Sequence, residues 1–483
     1  MAGGGTSSLS HRNRHGTTIS LEEALIKNNT KERTAIEALS ANVLDTRFEN
    51  FDQVTIETAK NRIIDVVGCA IGGANAAGNA ALIDLVKNWG GKEEATIWVH
   101  GSKAPAHNVA LVNSIMARSF DFGPLTDTFE RKKVGSHQSE TTVPTALTMG
   151  EAKGINGKEL ITALLVGDDV GNRISFAFDL DFSLGWDGIG TLNAFAATAI
   201  AGRLLGLNKL QMRNAFGIVL NQMAGAIQSV WDGATTFKLP QGTAAQNGIF
   251  AAELAKRGWT GVADALLSRF GYYSLYTHGC THPEMLTEDL GKIYYVEDSF
   301  KRYPSCGGTQ QTIDTALALV SKHDINANDI EEVTIYMPRR SLDSFLTNPF
   351  RIRDYPHADA IFSLRYTSAT ALLRKSVKQE HFTEKSIRDS QVNALIGKTR
   401  FAELPETTLK GVEVKVKMKD GREFSESADT PGSMSRDEMM AKYMSQVDFS
   451  QTVTRENAEK LLGQLEKLED ADSLSKIVEL LVV

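Results

Sequence analysis

The sequence contains few cysteines and few prolines, and both scarcities restrict the fold. Its three cysteines, Cys69, Cys280 and Cys306, lie far apart and form no CxxC pair. This spacing argues against a disulfide framework and against a zinc knuckle. Only 11 prolines occur among 483 residues. Because proline is excluded from helix interiors, their scarcity favours a helix-rich architecture.

Excess positive charge and long apolar runs are also missing. The net charge of −7 argues against a nucleic-acid-binding protein, which needs a basic face for phosphates. The least charged long stretch, residues 214–231, carries Asn and Gln and is too polar for a membrane span. Residues 1–30 lack the apolar segment of a secretory signal and predict a disordered tail. We expect a cytoplasmic protein, with an organellar address as the alternative.

Common catalytic and metal-binding motifs are absent or incomplete. The chain has no GxxxxGK[ST] phosphate loop and no GxSxG nucleophile elbow. The segment "THGCTHPEM" places His278, Cys280 and His282 within five residues, which invites a metal interpretation. A fourth ligand is missing and the alternating spacing is unusual for zinc, so we predict no metal site there.

Residues 31–270 have the periodicity of successive helices. In residues 55–74, apolar side chains recur at intervals of three and four, as on one buried helix face. A second such pattern follows Pro105 and should end at Asp121-Phe122-Gly123-Pro124. Residues 192–206 and 242–258 are rich in Ala, Gly and Thr, and such small side chains allow close approach of helices.

The pattern changes after about residue 290. Residues 330–338 and 411–432 alternate apolar and polar side chains, and Asp420-Gly421 predicts a hairpin turn in the second segment. Helical patterns lie between them and resume at Ser435. We therefore predict a mostly α protein with an α+β part. A large all-helical domain would be built from both chain ends (31–285 and 435–483), with a smaller α+β lid domain (286–434) inserted.

An irregular polar loop, "DFGPLTDTFERKKVGSHQSE", separates two apolar helices at residues 121–140. One interpretation is a solvated connector, in which Lys132 and Lys133 face water. The other is an active-site loop. Asp121 would lie at the end of one helix and His137 just before the next, where a histidine can exchange protons near neutral pH. Free N–H groups at that helix start would favour an anion.

Two further segments carry polar side chains in apolar surroundings. Lys238 lies among Ala, Gly and Thr residues, so it needs a carboxylate partner or an anionic ligand. Tyr303 and Cys306 lie in the glycine-bearing loop "KRYPSCGGTQQ" before a helix. An acid, a base and a cation are thus available, but spacing alone does not bring them together.

Several segments together resemble the MmgE/PrpD family, which includes 2-methylcitrate dehydratase, cis-aconitate decarboxylase and iminodisuccinate epimerase. The resemblance covers residue 35 to the C-terminus. It implies a homodimer without a cofactor, a large helical domain with an α+β lid, and a small di- or tricarboxylate substrate. The segments that carry it are "NRIIDVVGCAIGGA", "SFDF…GSHQSETTVPTAL", "FKLPQGTAAQNG", "YPSCGGTQ", "AIFSLRYTSATALL" and "KMKDGREFSESADTPGS".

The resemblance also implies roles for individual residues. Asp121 and His137 would exchange protons or orient the substrate, Lys238 would bind a carboxylate, and Tyr303 would donate a proton. Gln241, Cys306 and Gln310 would help Lys238 to bind the substrate. No metal is implied.

Several positions depart from the family pattern. Gly123 and Pro124 stand where the family's turn usually has further acids. Asp187 and Gln310 stand where many members carry histidine, Gln246 replaces an arginine, and Gln138 replaces the proline after His137. Asp187 could act as a different base, although its charge would repel an anionic substrate group. We therefore expect altered substrate or chemistry.

Three functional hypotheses follow. The first is a cofactor-independent lyase for a small polycarboxylate. Within this hypothesis, a dehydratase is favoured over a decarboxylase. The second is an isomerase or epimerase of the same substrate class. The third is a catalytically silent family member that binds carboxylates.

Overall fold

A computed structural model describes residues 33–126, 137–296, 298–404, 411–428 and 434–482, and the structural statements below concern these ranges. The fold is mostly α with a smaller α+β part, which confirms the predicted fold class. None of the described helices is long and apolar enough to cross a membrane.

Helices from the N-terminal half of the chain form the larger core. Polar caps set where they begin: Asp52 accepts a hydrogen bond from the Thr55 N–H, and Asn156 accepts one from the Glu159 N–H. The helices are α1 (Ala35–Asp45), α2 (Gln53–Gly73), α3 (Asn79–Trp89), α4 (Ala106–Arg118), α5 (Ser139–Lys153), α6 (Gly157–Phe176), α7 (Gly188–Leu204), α8 (Lys209–Val219), α9 (Gln228–Trp231), α10 (Leu239–Lys256) and α11 (Tyr272–Tyr276). Short antiparallel pairs join β1 (Ala95–Thr96) to β2 (Lys103–Ala104) and β3 (Leu125–Thr126) to β4 (Asp298–Ser299).

The inserted part consists of helices packed on a four-stranded sheet of order β6-β5-β7-β8. Strands β5 and β6 are parallel, and the other neighbours are antiparallel. The predicted Asp-Gly hairpin joins β7 to β8, and alternate residues of β7 are buried against the helices. The elements are α12 (Gly307–Lys322), β5 (Ile330–Met337), α13 (Arg339–Leu342), α14 (Pro356–Ile361), α15 (Leu364–Arg374), α16 (Glu384–Ile387), α17 (Ser390–Ile396), β6 (Thr399–Glu403), β7 (Val412–Met418) and β8 (Glu423–Ala428).

The C-terminal segment returns to the helical core. It forms α18 (Arg436–Ser450), α19 (Arg455–Leu465) and α20 (Ser475–Glu479), and α18 packs against α2. Tyr443 and Leu461 are buried in the same apolar cluster as Ile63 near the start of the chain. A second cluster contains the apolar residues of the sheet and its helices. The chosen domain boundaries, after residues 30, 285 and 434, stay a prediction.

Three local features differ from the expected pattern. Strand β6 was not predicted, because the five residues "TRFAE" show too little alternation to stand out. Helix α5 begins at Ser139 and retains Pro144 in its interior, although proline is usually excluded from helix interiors. Residues 259–271, within the range expected to be helical, form turns instead.

The close helix packing predicted from small residues is tested at Gly248. A methyl group added there would lie 2.6 Å from Cβ of Ala197 and 2.7 Å from the backbone nitrogen of Thr198 on α7. We expect Gly248→Ala to lower the free energy of unfolding by about 1–3 kcal/mol, because the helices must separate. Gly463 has open space around its added methyl, so Gly463→Ala should raise stability by about 0.5–1 kcal/mol. Urea denaturation measures both, and equal effects would contradict the packing argument.

Candidate active site

A tight turn follows α4 and fixes the position of Asp121. Helix α4 ends at Arg118, and the Asp121 N–H bonds back to the Arg118 carbonyl at 2.9 Å. Asp121 has φ +48° and is fully buried. This left-handed conformation is uncommon for a residue with a side chain and persists where the surroundings enforce it. The predicted helix end is therefore also a strained and enclosed turn.

Two cations neutralise the Asp121 carboxylate. Arg118 and Lys301 both donate hydrogen bonds to its Oδ1, and Lys301 also donates to the Asp121 carbonyl at 2.6 Å. The second oxygen, Oδ2, is buried without a hydrogen-bond partner among the described residues. Because an unpartnered buried oxygen is costly, it marks a position where a polar ligand atom would be stabilised.

His137 lies between Asp121 and Glu140. Its Nε2 is 3.6 Å from Asp121 Oδ1, and its Nδ1 is 3.8 Å from Glu140 Oε2. Burial lowers the pKa of His137 well below 6.5, and the charges of Arg118 and Lys301 lower it further. His137 is therefore neutral at neutral pH. Its Nδ1 is buried and has no hydrogen-bond partner in the described part of the chain.

Glu140 completes the cluster from the first turn of α5. Its Oε2 accepts hydrogen bonds from Arg118 at 3.2 Å and Gln241 at 3.0 Å, and its Oε1 accepts one from the Gly123 N–H at 3.1 Å. Burial raises the pKa of Glu140 to about 7. Near neutral pH, Glu140 can therefore hold or release a proton beside the neutral imidazole.

Gln241 holds this part of the site together. Its amide group donates to the His137 carbonyl at 2.8 Å as well as to Glu140. Its carbonyl oxygen accepts from Thr141 and from Asn193. Because both ends of this side chain are already bonded, Gln241 holds the backbone at His137 in place. Its predicted contact with a substrate stays a prediction.

Asp121, His137 and Glu140 could also be considered as metal ligands. Their ligand atoms lie within 4.8 Å of one another, and among the described residues no other group of three meets this criterion. However, Arg118 and Lys301 already contact the two carboxylates. A divalent cation would face two fixed positive charges, so the donor set fits proton exchange better than metal binding.

Lys238 lies on the other side of the same turn. Its ammonium donates to the Ala77 carbonyl at 2.8 Å, to Asn79 Oδ1 at 2.7 Å and, at 3.5 Å, to Ser119 Oγ. No carboxylate of the described chain forms an ion pair with it, and burial lowers its pKa to about 7. The expected carboxylate partner is thus not found, which leaves an anionic ligand as the other interpretation.

The loop before α12 places Cys306 near Asp121, whereas the Tyr303 hydroxyl in the same loop bonds to Asp314. Cys306 lies close enough to Asp121 for that charge to add to burial in raising the thiol pKa to about 11. The Tyr303 hydroxyl donates to Asp314 at 2.6 Å, and burial together with this bond raises its pKa. Tyr303 therefore holds its proton firmly and directs it to Asp314 rather than to His137.

Gln310 has a structural contact for each end of its amide. Its oxygen accepts from the N–H groups of Arg302 and Tyr303, and its nitrogen donates to the carbonyls of Tyr303 and Ser305. The glutamine that replaces a family histidine thus fixes the loop carrying Lys301 and Cys306. Its substrate-binding role stays a prediction.

Asp187 caps α7, since its Oδ1 accepts a hydrogen bond from the Ile189 N–H at 3.0 Å. Burial raises the pKa of its carboxyl group. Arg118 and Asp121 are near enough to influence it, but the two acids do not contact each other. Asp187 therefore borders the cluster, and its role as a base stays a prediction.

Some site residues were not predicted from the sequence. Glu140 lies in the polar loop at residues 121–140 but was given no role, although its spacing of three from His137 places both on one side of a helix start. Arg118 has the same spacing from Asp121, and Lys301 begins a segment that was noted. No motif in the sequence marks Tyr355. Its hydroxyl is buried without a hydrogen-bond partner among the described residues, and its ring lies 5.9 Å from the Lys238 ammonium.

The alternative metal motif is not assembled. His278 pairs with Asp181 at 2.9 Å, and His282 pairs with Glu284 at 3.4 Å. Cys280 donates to the Ala177 carbonyl instead. Lys132 and Lys133 lie outside the described residues.

The buried ammonium of Lys238 predicts a pH-dependent stability. With a folded-state pKa of about 7 against 10.5 ordinarily, the unfolded chain binds a proton between these values that the folded chain does not. The free energy of unfolding therefore rises with pH across this window. Lys238→Met should flatten that rise in urea denaturation from pH 7 to 9. Lys92→Met, at a position 83% exposed, is the control, and an unchanged slope in Lys238→Met would contradict the assignment.

Comparison with known proteins agrees with this architecture. The model of the MmgE/PrpD N-terminal domain matches residues 37–284, and that of the C-terminal domain matches residues 303–467. Curated relatives include the cis-aconitate decarboxylases of Mus musculus (25% identical, 88% of this chain and 89% of the relative) and Homo sapiens (25%, 93% and 93%). That of Aspergillus terreus is 23% identical over 88% of this chain and 91% of its own. The chain belongs to the MmgE/PrpD family.

Proposed function

We propose that this protein is a lyase for a small di- or tricarboxylate, of the cis-aconitate decarboxylase type, using its own side chains without a resident cofactor. The observation that carries the proposal is His137, a neutral buried imidazole held between two carboxylates, whose Nδ1 has no hydrogen-bond partner among the described residues. Such an imidazole can exchange protons near neutral pH when a bound anion raises its pKa. The names of the relatives favour decarboxylation over the dehydration that the sequence placed first.

The charges around His137 suit an anionic substrate. Arg118 and Lys301 lower its pKa in the free protein together with burial. A polycarboxylate in contact with the imidazole would act in the opposite direction, because a nearby negative charge favours the imidazolium. Substrate binding would thus raise the pKa of His137 and favour its protonation. A nearby anion would also raise the pKa of Lys238, so that its ammonium stays protonated.

This arrangement supports a balanced decarboxylation. The bond between a carbon and its carboxylate breaks, CO2 leaves, and the electron pair is delocalised over an adjacent C=C bond conjugated to another carboxylate. One proton from the His137 imidazolium then adds to carbon. Fixed cations stabilise the delocalised charge before protonation, a role that we propose for Lys238.

Dehydration is the second candidate, because Glu140 favours it. Loss of water requires a base that removes a proton beside a carboxylate and an acid that protonates the departing hydroxyl. A neutral His137 and a Glu140 with a pKa of about 7 provide that pair. Epimerisation would use His137 alone to remove and return one proton.

Proton NMR in D2O separates these reactions. The purified protein is incubated with cis-aconitate, 2-methylcitrate, citrate and related diacids, each alone. We expect a new alkene product from cis-aconitate with release of CO2 and one deuterium at carbon. An alkene formed from 2-methylcitrate or citrate without CO2 would support dehydration. Deuterium entry without net product would support epimerisation, and unchanged spectra with ligand-induced thermal shifts would support a binding protein.

Replacement of His137 tests its catalytic role. We expect His137→Ala to lower kcat by about 10²–10⁴-fold, the usual contribution of a positioned acid or base. His278→Ala is the matched control, since His278 is exposed and pairs with Asp181. Turnover of His137→Ala within a few-fold of the parent would refute the role.

We further propose that the chain forms a homodimer, as the family resemblance implies, and that it is cytoplasmic. Exposed apolar side chains in the segment from α10 to α11 support an interface there: Leu239, Phe250, Trp259, Val262, Leu267, Phe270 and Leu275. Light scattering after size-exclusion chromatography should give twice the 52.7 kDa chain mass. Phe270→Glu should shift the population toward monomer, whereas Val54→Glu, at another exposed apolar position, should not. A monomeric parent protein would contradict the proposal.

A further inference from the structure

We propose that Lys442 on α18 is a positioning residue that holds the Asp121 turn in its catalytic conformation. The inference deepens the proposed function, on which its turnover readout depends. Lys442 lies 320 residues from the turn along the chain and was not singled out by any motif. It connects the C-terminal helix to the site through the backbone.

Lys442 makes three contacts inside the protein. Its ammonium donates to the Phe122 carbonyl at 2.7 Å and pairs with Asp65 Oδ1 at 2.7 Å. It also lies 4.0 Å from the centre of the Phe122 ring. The residue is only 5% exposed. A buried ammonium needs such partners, and the Phe122 carbonyl and Asp65 provide them for Lys442.

Two other side chains hold neighbouring carbonyls of the turn. His357 Nε2 lies 2.8 Å from the Ser119 carbonyl, and Lys301 donates to the Asp121 carbonyl at 2.6 Å. Together with Lys442, they fix three of the four carbonyls from Ser119 to Phe122. The three side chains come from α14, from the segment before α12 and from α18. Each main segment of the C-terminal half therefore contributes one anchor.

The turn needs this support because the backbone of Asp121 has a left-handed conformation. A residue with a side chain leaves this conformation unless the surroundings over-determine it. If the Phe122 carbonyl loses its donor, we expect the turn to relax and the Asp121 carboxylate to move relative to His137. Misplacement of a catalytic group by about 1 Å costs about 10²-fold in rate.

Lys442 acts on the turn rather than on the catalytic charges. Its ion pair is with Asp65, and the described contacts include none between its ammonium and the carboxylate of Asp121 or the ring of His137. We expect Arg118 and Lys301 to remain in place when Lys442 is replaced. The expected signature is a lower kcat with little change in KM.

The test compares two variants, one of which removes both members of the buried ion pair. Lys442→Met alone would leave the Asp65 carboxylate buried without its partner and could prevent folding. The double variant Asp65→Asn/Lys442→Met removes both charges, whereas Asp65→Asn alone keeps the bond from Lys442 to the Phe122 carbonyl. Circular dichroism and urea denaturation establish that each variant is folded.

We expect the double variant to lower kcat about 10- to 100-fold with KM within about 3-fold. Asp65→Asn alone should stay within about 3-fold of the parent in both constants. Equal kcat values for the double variant and Asp65→Asn would overturn the proposal. The same would follow if the loss appeared in KM and not in kcat.

A second readout does not depend on the reaction. With ¹⁵N-labelled histidine, the ring signals of His137 are assigned from the spectrum of His137→Ala and recorded without substrate. We expect the His137 signals to shift in the double variant and to remain in place in Asp65→Asn. If the parent protein turns over none of the polycarboxylates, the proposed function fails, and these spectra alone decide. Unchanged His137 signals in the double variant would overturn the positioning role.

Discussion

The site depends on one constraint, which is the left-handed backbone of Asp121 in the buried turn after α4. This conformation directs a carboxylate into the interior beside His137, where it needs cationic partners. Arg118 and Lys301 provide them from opposite directions in the chain. Helix α4, the loop before α12 and helix α18 all contact this turn. The proposed catalytic geometry therefore depends on contacts from distant parts of the chain.

Burial and nearby charges together explain the protonation states around this turn. Burial lowers the pKa of His137, and the positive charges of Arg118 and Lys301, which pair with the carboxylates of Asp121 and Glu140, lower it further. Lys238 is different, because only neutral oxygens surround its ammonium. A site that holds one cation without a paired carboxylate is prepared for an anionic ligand, at a cost to stability that appears as the pH dependence described above.

The architecture could be predicted from the sequence because its signals are local. Helical periodicity, small-residue faces and the Asp420-Gly421 turn each determine structure within a few residues, and the observed elements follow them. Strand β6 was missed because it is short and gains its identity from parallel pairing with β5. Such pairing joins distant segments and leaves little trace in the composition of either.

The site was predicted less completely, for the same reason. Asp121, His137 and Cys306 were named from the sequence, and the structure places His137 and Cys306 near Asp121. Their roles stay predictions. The partners that set their properties, Lys301 and Lys442, lie far along the chain from Asp121 and have no spacing that marks them. Gln241 and Gln310 were expected to face substrate, whereas their amides bond to the protein on both sides. Residue type indicates that a side chain can form hydrogen bonds, but tertiary contacts determine whether its partner is the protein or a ligand.

A crystal structure of the protein with tricarballylate, a saturated tricarboxylate that cannot undergo the proposed decarboxylation, would test the central claim most directly. The account predicts a carboxylate of the ligand within hydrogen-bond distance of His137 Nδ1. Binding elsewhere would contradict it, for example in the surface cleft lined by Trp231, Phe350 and Arg353, with His137 untouched. In that case the cluster around Asp121 would be a structural charge network and the function would have to be sought at the cleft.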